Sequence, residues 1–315
     1  MDGVSHWDQA RTFEADRLPM RATWRDLGRA ARSVAVGVQR IDVAPGFQST
    51  PAHAHGTSEE IFWVLAGAGF LWMDGKAWAI APGDCIVHRP RTAAHTVVGG
   101  PEGLSVLAFG TRAGAEPGLH GRSDAAVTFG FRNVMHPEHP WSLEAGRDVV
   151  DVSAPSDERP RTLVALADFE PELDDRNHAG VDRAVVHIGR RAGAQISGLT
   201  HFDVAPGALS NVPHCHSAEE ELFVVLDGDG TAELWDIHAD VVDTAPLTPG
   251  SVVARPAGTA VSHTFRAGSD GMTMLGYSDY HPDDACFYPR SQKVALGGLG
   301  IRFRVTNVDY FDGEE

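Results

Sequence analysis

The chain has 315 residues, 43% of them hydrophobic, and carries 26 basic against 43 acidic side chains, a net charge of −17. A disordered or collagen-like chain is excluded, since neither combines this apolar content with so modest a Gly and Pro count. The negative excess repels phosphate backbones and anionic lipid surfaces, so the expected partner is a small-molecule substrate, with no nucleic acid and no membrane.

The opening MDGVSHWDQARTFEADRL lacks the basic and apolar regions of a signal peptide, and no apolar run reaches the ~18–20 residues of a membrane helix. A cytoplasmic protein is expected. Helical periodicity is weak except in ATWRDLGRAARS, where a turn or two is anticipated. Thereafter the pattern is β: RSVAVGVQRIDV, EEIFWVL, AVVHIG and ELFVVL are β-branched or aromatic, punctuated by Gly, Pro and Asp turns.

Residues 42–69 align without a gap on residues 203–230, and 15 of the 28 positions are identical. The chain is therefore a duplication. The match resumes between 83–110 and 250–278, which pairs His95 with His263; the second copy is longer between the two blocks, where a longer loop or hairpin is expected. The Pro-, Ser- and charge-rich DVSAPSDERPR at 151–161 reads as a linker, giving an N-terminal domain of residues 1–154 and a C-terminal domain of residues 155–315.

His53 and His55 at i and i+2 of a strand share one face, Glu60 follows after a short turn, and His95 can return on a neighbouring strand. His214, His216, Glu221 and His263 repeat the set. Three imidazoles and a carboxylate suit a divalent transition metal (Fe, Mn, Ni, Cu or Zn), one per domain, and leave open positions for substrate or oxygen. Glu60 and Glu221 are candidate catalytic bases as well as ligands. Glu59 and Glu220 point to the opposite strand face, toward solvent or an interface. Cys215 is turned away from the metal by strand alternation, and Cys85, Cys215 and Cys286 read as reduced thiols. His88 is assigned to the surface or to a supporting position. Arg40 and His201 compete with Gln39 and Thr200 for the inward face. Phe62, Val64 and Val97, with Phe223, Val225, Val261 and Phe265, form the expected apolar walls.

At these residues the sequence resembles the cupin superfamily, and its duplication resembles a bicupin. The family's first motif falls on Gly46, His53, His55, Glu60 and Gly67, and again on Gly207, His214, His216, Glu221 and Gly228. The second falls on Gly83, Pro90 and His95, and on Gly250, Pro256 and His263, with one extra residue before the proline in the first copy and two before the histidine in the second. The closing stretch from Cys286 is similar to that of a group of bacterial bicupins. The resemblance implies an all-β protein of two tandem jelly-roll barrels, each with a metal inside. Its ligand set resembles that of cupin dioxygenases such as quercetinases and acireductone dioxygenases, which makes an oxidoreductase of the dioxygenase type the leading expectation. A metal-dependent decarboxylase, an isomerase or epimerase, and a non-catalytic ligand-binding or storage bicupin are the alternatives. Sheet edges and a β-rich C-terminal tail suit pairing into a homo-oligomer.

Overall fold

The computed structural model describes residues 1–112, 116–120, 122, 125–129, 140–173 and 180–314. The first repeat contributes β1 (Val4–His6), β2 (Thr12–Arg17), β3 (Met20–Asp26), β4 (Val36–Val43), β5 (Ala54–His55), β6 (Glu60–Met73), β7 (Lys76–Ile80), β8 (Asp84–His88), β9 (His95–Thr111), β10 (Glu116–His120) and β11 (Ala125–Phe129). The second contributes β12 (Leu163–Ala165), β13 (Glu172–Leu173), β14 (Arg183–Val186), β15 (Ser197–Val204), β16 (Cys215–His216), β17 (Glu221–Trp235), β18 (Val241–Leu247), β19 (Ser251–Arg255), β20 (Ser262–Asp279), β21 (Ala285–Tyr288), β22 (Lys293–Leu296) and β23 (Ile301–Arg304). The helical expectation near the N-terminus reduces to one turn, Leu27–Ala30, because β3 claims the residues before it. The extra length of the second copy forms the β17–β18 hairpin.

Each half pairs an 8-stranded antiparallel sheet with a smaller one, β11-β10-β5 in the first and β16-β21-β22-β23 in the second. The long strands must bend to close a barrel. Both β6 and β17 do so through register shifts at matched places, Val64/Ala66 with Gly67/Gly69 and Val225/Asp227 with Gly228/Gly230. Gly67 and Gly228 sit there at φ +72° and +73°, and a Cβ on either would lie 2.4 or 2.2 Å from the carbonyl oxygen of Gly103 or Gly271. The motif glycine is thus required by both backbone conformation and close approach.

The central strands are buried on both faces, which explains why EEIFWVL and ELFVVL read as unbroken apolar runs. Phe62, Val64 and Val97 fill the first barrel, and Phe223, Val225 and Phe265 the second. Val261 lies just before β20, half-buried, and takes no part in that cluster. The alternate residues Ile61, Trp63, Leu107 and Phe109 meet Leu222, Val224, Leu275 and Tyr277 in a third core between the halves. Gln39 lines the cavity of the first half, while Arg40 turns to Asp42 and lies 4.8 Å from the Trp7 ring; His201 stacks on Trp63.

Two further features lock the halves together. β1 of the first repeat pairs with β19 of the second, and β12, its counterpart, pairs with β8 of the first. The repeats thus exchange their first strands, so that a division at residue 154 separates the sequence copies and not the hydrogen-bonded sheets. Glu59 (0% exposed) accepts from the amides of Gln195, Ile196 and Ser197 and the Ser197 hydroxyl, and Glu220 (1% exposed) accepts from the amides of Val34, Ala35 and Val36. Both are interfacial, neither is solvated. The strand exchange makes a directional prediction. Deleting residues 1–6 strips the edge from β19 and lowers the melting temperature of the C-terminal half, in a scan of a tryptophan-free first half or by hydrogen exchange, while β8 amides stay protected. Equal loss of protection at β8 and β19 would contradict the exchange.

Candidate metal centres

The turn after each His-x-His is what aims the ligands. Glu116, at the start of β10, accepts from the amides of Gly56 (2.8 Å), Thr57 (3.2 Å) and Ser58 (3.0 Å), and so ties the turn between His55 and Glu60 to the smaller sheet. Asp284, just before β21, does the same for the amides of Ala218 (2.8 Å) and Glu219 (3.2 Å). β10 then pairs with β5 and β21 with β16. Sequence reading missed both acids, because EPGLH and DACFY share no residue; the available signal was an acid at equal distance after each closing strand.

In the first half the structure brings all four predicted residues together: ligand atoms of His53, His55, Glu60 and His95 lie within 4.8 Å of one another. His95 Nε2 stands 3.1 Å and His55 Nε2 3.5 Å from Glu60 Oε2. His53 donates Nδ1–H to the carbonyl of Pro51 (3.0 Å), which leaves its Nε2 with the lone pair inward, and His95 Nδ1 meets the carbonyl of Ala93 at 3.3 Å. His55 Nδ1 faces Glu116 at 3.5 Å. His88 is a buried neighbour and not a surface residue: its ring stacks on His95 at 3.5 Å and 3°.

Charge follows geometry. Burial and the neighbouring His95 and His55 push His53 down to about 3, so it is neutral. Burial also acts to lower His55, but the carboxylates of Glu116 and Glu60 outweigh it and raise the imidazole to about 10. Burial acts to raise Glu60, yet His55 and His95 hold it well below the usual carboxylate range. The metal-free centre therefore carries an ionised Glu60 and one extra proton on His55. In the absence of metal that proton stabilises the fold fully below pH ~6.5 and the contribution is lost as pH rises through about 10. A metal must displace it, so apparent affinity rises about tenfold per pH unit between about pH 7 and 9, measured by competition with a chromophoric chelator. A flat profile would contradict a protonated His55.

The second half matches only in part. His214, Glu221 and His263 form one group within 4.8 Å, and His263 Nε2 and His216 Nε2 stand 3.1 and 3.5 Å from Glu221 Oε2. His216 keeps the 3.5 Å approach to its glutamate that His55 has, but it falls outside that group: its Nδ1 meets Asp284 Oδ2 at 2.7 Å, and it groups with His214 and Cys286 and with Glu219 and Asp284. Cys286 faces His216 across the strand pair where Gly118 faces His55. Cys215 belongs to none of these groups. Position 255, opposite Glu221, holds Arg255 where His88 stands opposite Glu60. The rings flanking the first histidine also differ: His120 lies 6.0 Å from His53, Tyr288 5.9 Å from His214.

Both centres carry buried polar atoms without a hydrogen bond, namely both ring nitrogens of His55, Glu221 Oε2 and His263 Nε2. Such atoms are costly unless something binds them, and imidazole and carboxylate donors fit a divalent transition metal. Above the first centre opens a cavity of about 670 Å³, with His53, Glu60 and Phe62 in its lining.

Two jelly rolls, each enclosing a His and Glu cluster on the same strands, define a duplicated cupin. The family model described as the cupin domain matches residues 39–109 and 200–277, so each half of the chain carries a cupin domain. An uncharacterized protein of Methanocaldococcus jannaschii is 36% identical over 50 residues, a match spanning 16% of this chain and 40% of that protein. Among solved structures, Lactobacillus farciminis oxalate decarboxylase in its formate complex superposes with a TM-score of 0.60 at 12% identity, covering 88% of this chain and 85% of that one. Vicilin from Corylus avellana gives 0.58 at 15% identity, covering 91% and 88%. At such identities the likeness is one of fold, and it spans an enzyme and a vicilin alike. No helix among the described residues is long and apolar enough to cross a membrane.

Proposed function

We propose that the chain is a metal-dependent dioxygenase that turns over a small organic substrate at its N-terminal centre. His53, His55, Glu60 and His95 are read as the ligands of a divalent transition metal there, and His214, His216, Glu221 and His263 as those of a second metal in the C-terminal half. The observation that carries the reading is the cavity of about 670 Å³ opening directly onto His53 and Glu60, the only pair of ligands it needs to reach. Such a volume suits an organic molecule far larger than a two-carbon acid.

When bound, the metal supplies Lewis-acid and redox chemistry at the cavity floor. The protein supplies the rest. Glu60 faces the cavity, so it is the group placed to take the proton of an incoming hydroxyl or enol. Phe62 and Ile41 keep water from the floor, and the Nδ1 contacts with the carbonyls of Pro51 and Ala93 hold His53 and His95 in one orientation. Glu221 is the corresponding base candidate in the second half. There the hydrogen bond that ties His216 to Asp284 and the approach of Cys286 support a structural rather than a catalytic centre. An oxygen electrode tests the reaction class: uptake of dioxygen should accompany substrate loss one to one, and undiminished turnover under argon would favour the decarboxylase or isomerase alternative.

A further inference from the structure

Part of the wall of the N-terminal cavity comes from segments that neither metal motif includes. Phe13 on β2, Trp24 on β3 and Trp141 in the turn of helix at Pro140–Glu144 pack into one aromatic group, with ring centroids 5.5 Å (Phe13–Trp24), 5.4 Å (Trp24–Trp141) and 6.1 Å (Phe13–Trp141) apart. All three border the cavity. Phe13 leaves 59% of its surface exposed, a large apolar area for a ring already anchored on two tryptophans. A planar ligand lying against this group would cover that surface.

Two arginines, Arg11 and Arg29, and two acids, Asp26 and Glu60, line the same cavity, and both acids are already engaged. Arg29 pairs with Asp26 at 3.1 Å, and Glu60 is engaged by His55 and His95. Arg11, two residues before Phe13, also borders the cavity; its carbonyl accepts from the Asp26 amide (3.2 Å), while its guanidinium has no hydrogen-bond or ion-pair partner among the described residues. In a chain of net charge −17, an unpaired guanidinium beside an aromatic wall stands out as a local anion site. Gln39, on β4, adds a neutral donor and acceptor on the lining.

We infer that the N-terminal cavity binds an aromatic compound carrying an anionic group, its ring against Phe13, Trp24 and Trp141 and its charge on Arg11. The inference rests on the reading of this cavity as the substrate site, and it adds the substrate class. A ligand so held shares its cavity with His53 and Glu60.

Calorimetric titration of the full chain, as purified and after chelation, tests it with three probes: 2-naphthoate, its neutral isostere 2-naphthamide, and cyclohexanecarboxylate. Naphthoate should bind at least tenfold tighter than either of the others. Arg11→Gln, an exposed position whose change leaves the fold intact, should erase the advantage of naphthoate over the amide and leave amide binding unchanged. Phe13→Ala should weaken naphthoate and naphthamide together and leave cyclohexanecarboxylate unaffected. Equal affinity for the three probes, no binding of naphthoate, or undiminished naphthoate binding by Arg11→Gln would overturn the inference. The chelated sample separates the two claims. Arg11-dependent binding that persists in a protein unable to hold metal leaves this inference standing while the metal-enzyme reading falls; a loaded N-terminal centre without Arg11 dependence does the reverse.

Discussion

Glu59→Ala should destabilise the whole protein by about 3–5 kcal/mol. The buried carboxylate accepts from three consecutive amides of the other half and from the Ser197 hydroxyl, at 2.7–3.4 Å. Truncation leaves these donors in a core lined by Ile61, Leu199 and Tyr277, where little water can replace the acceptor. Each orphaned buried donor costs about 1–3 kcal/mol, and partial hydration keeps the total below the simple sum. For a chain of this size the loss corresponds to a fall in melting temperature of about 6–10 °C. Glu220→Ala should do nearly the same through Val34, Ala35 and Val36, and Glu59→Gln should fall between, since it keeps one acceptor oxygen. Both centres sit on strands that share this core, so loss of the clamp should also loosen metal at each. A change of less than about 2 °C in both alanine variants would show that the clamps do not hold the halves.

The second large effect separates the two centres. His53→Ala removes a ligand that also lines the cavity, so turnover should fall by about 10³-fold or more, in the range seen when a group acting only in the reacting geometry is lost. His214→Ala, at the matched position, should leave kcat within about threefold and appear instead as lowered thermal stability. Both substitutions remove a half-buried imidazole whose Nδ1 meets the carbonyl two residues before it, and the stability readout of each variant separates lost packing from lost chemistry. Equal loss of turnover in the two variants would mean that both centres work; a loss confined to His214→Ala would invert the assignment.

Much of this arrangement was legible in the amino-acid sequence because duplication repeats the evidence. Two copies of His-x-His and Glu at constant offset single out six residues, the second matching block adds His95 and His263, and strand alternation orders the His-x-His and Glu side chains onto one face. The same alternation turned Glu59 and Glu220 away from the metal, though it could not say that they meet backbone amides of the other half. The exchange of β1 and β12 was not legible: VSH and LVA are three-residue strands, and which sheet they join is decided by tertiary packing. Glu116 and Asp284 escaped because identity between the copies lapses after β9 and β20. The hydrogen bond of His216 to Asp284 escaped for a related reason, since Asp284 itself was unseen. The aromatic wall adds Trp141, far along the chain, to the cross-strand pair Phe13–Trp24 of the β2–β3 hairpin, a juxtaposition no local pattern encodes.

The central claim is that each half builds a metal centre from the residues the motifs place there. Inductively coupled plasma mass spectrometry of the wild-type protein, His53→Ala and His214→Ala tests it most directly. The account predicts about two transition-metal ions per chain in the wild type and about one in each variant, with the ion retained by His214→Ala sustaining turnover. Unchanged metal content in both variants would contradict the ligand assignment and, with it, the proposed enzyme.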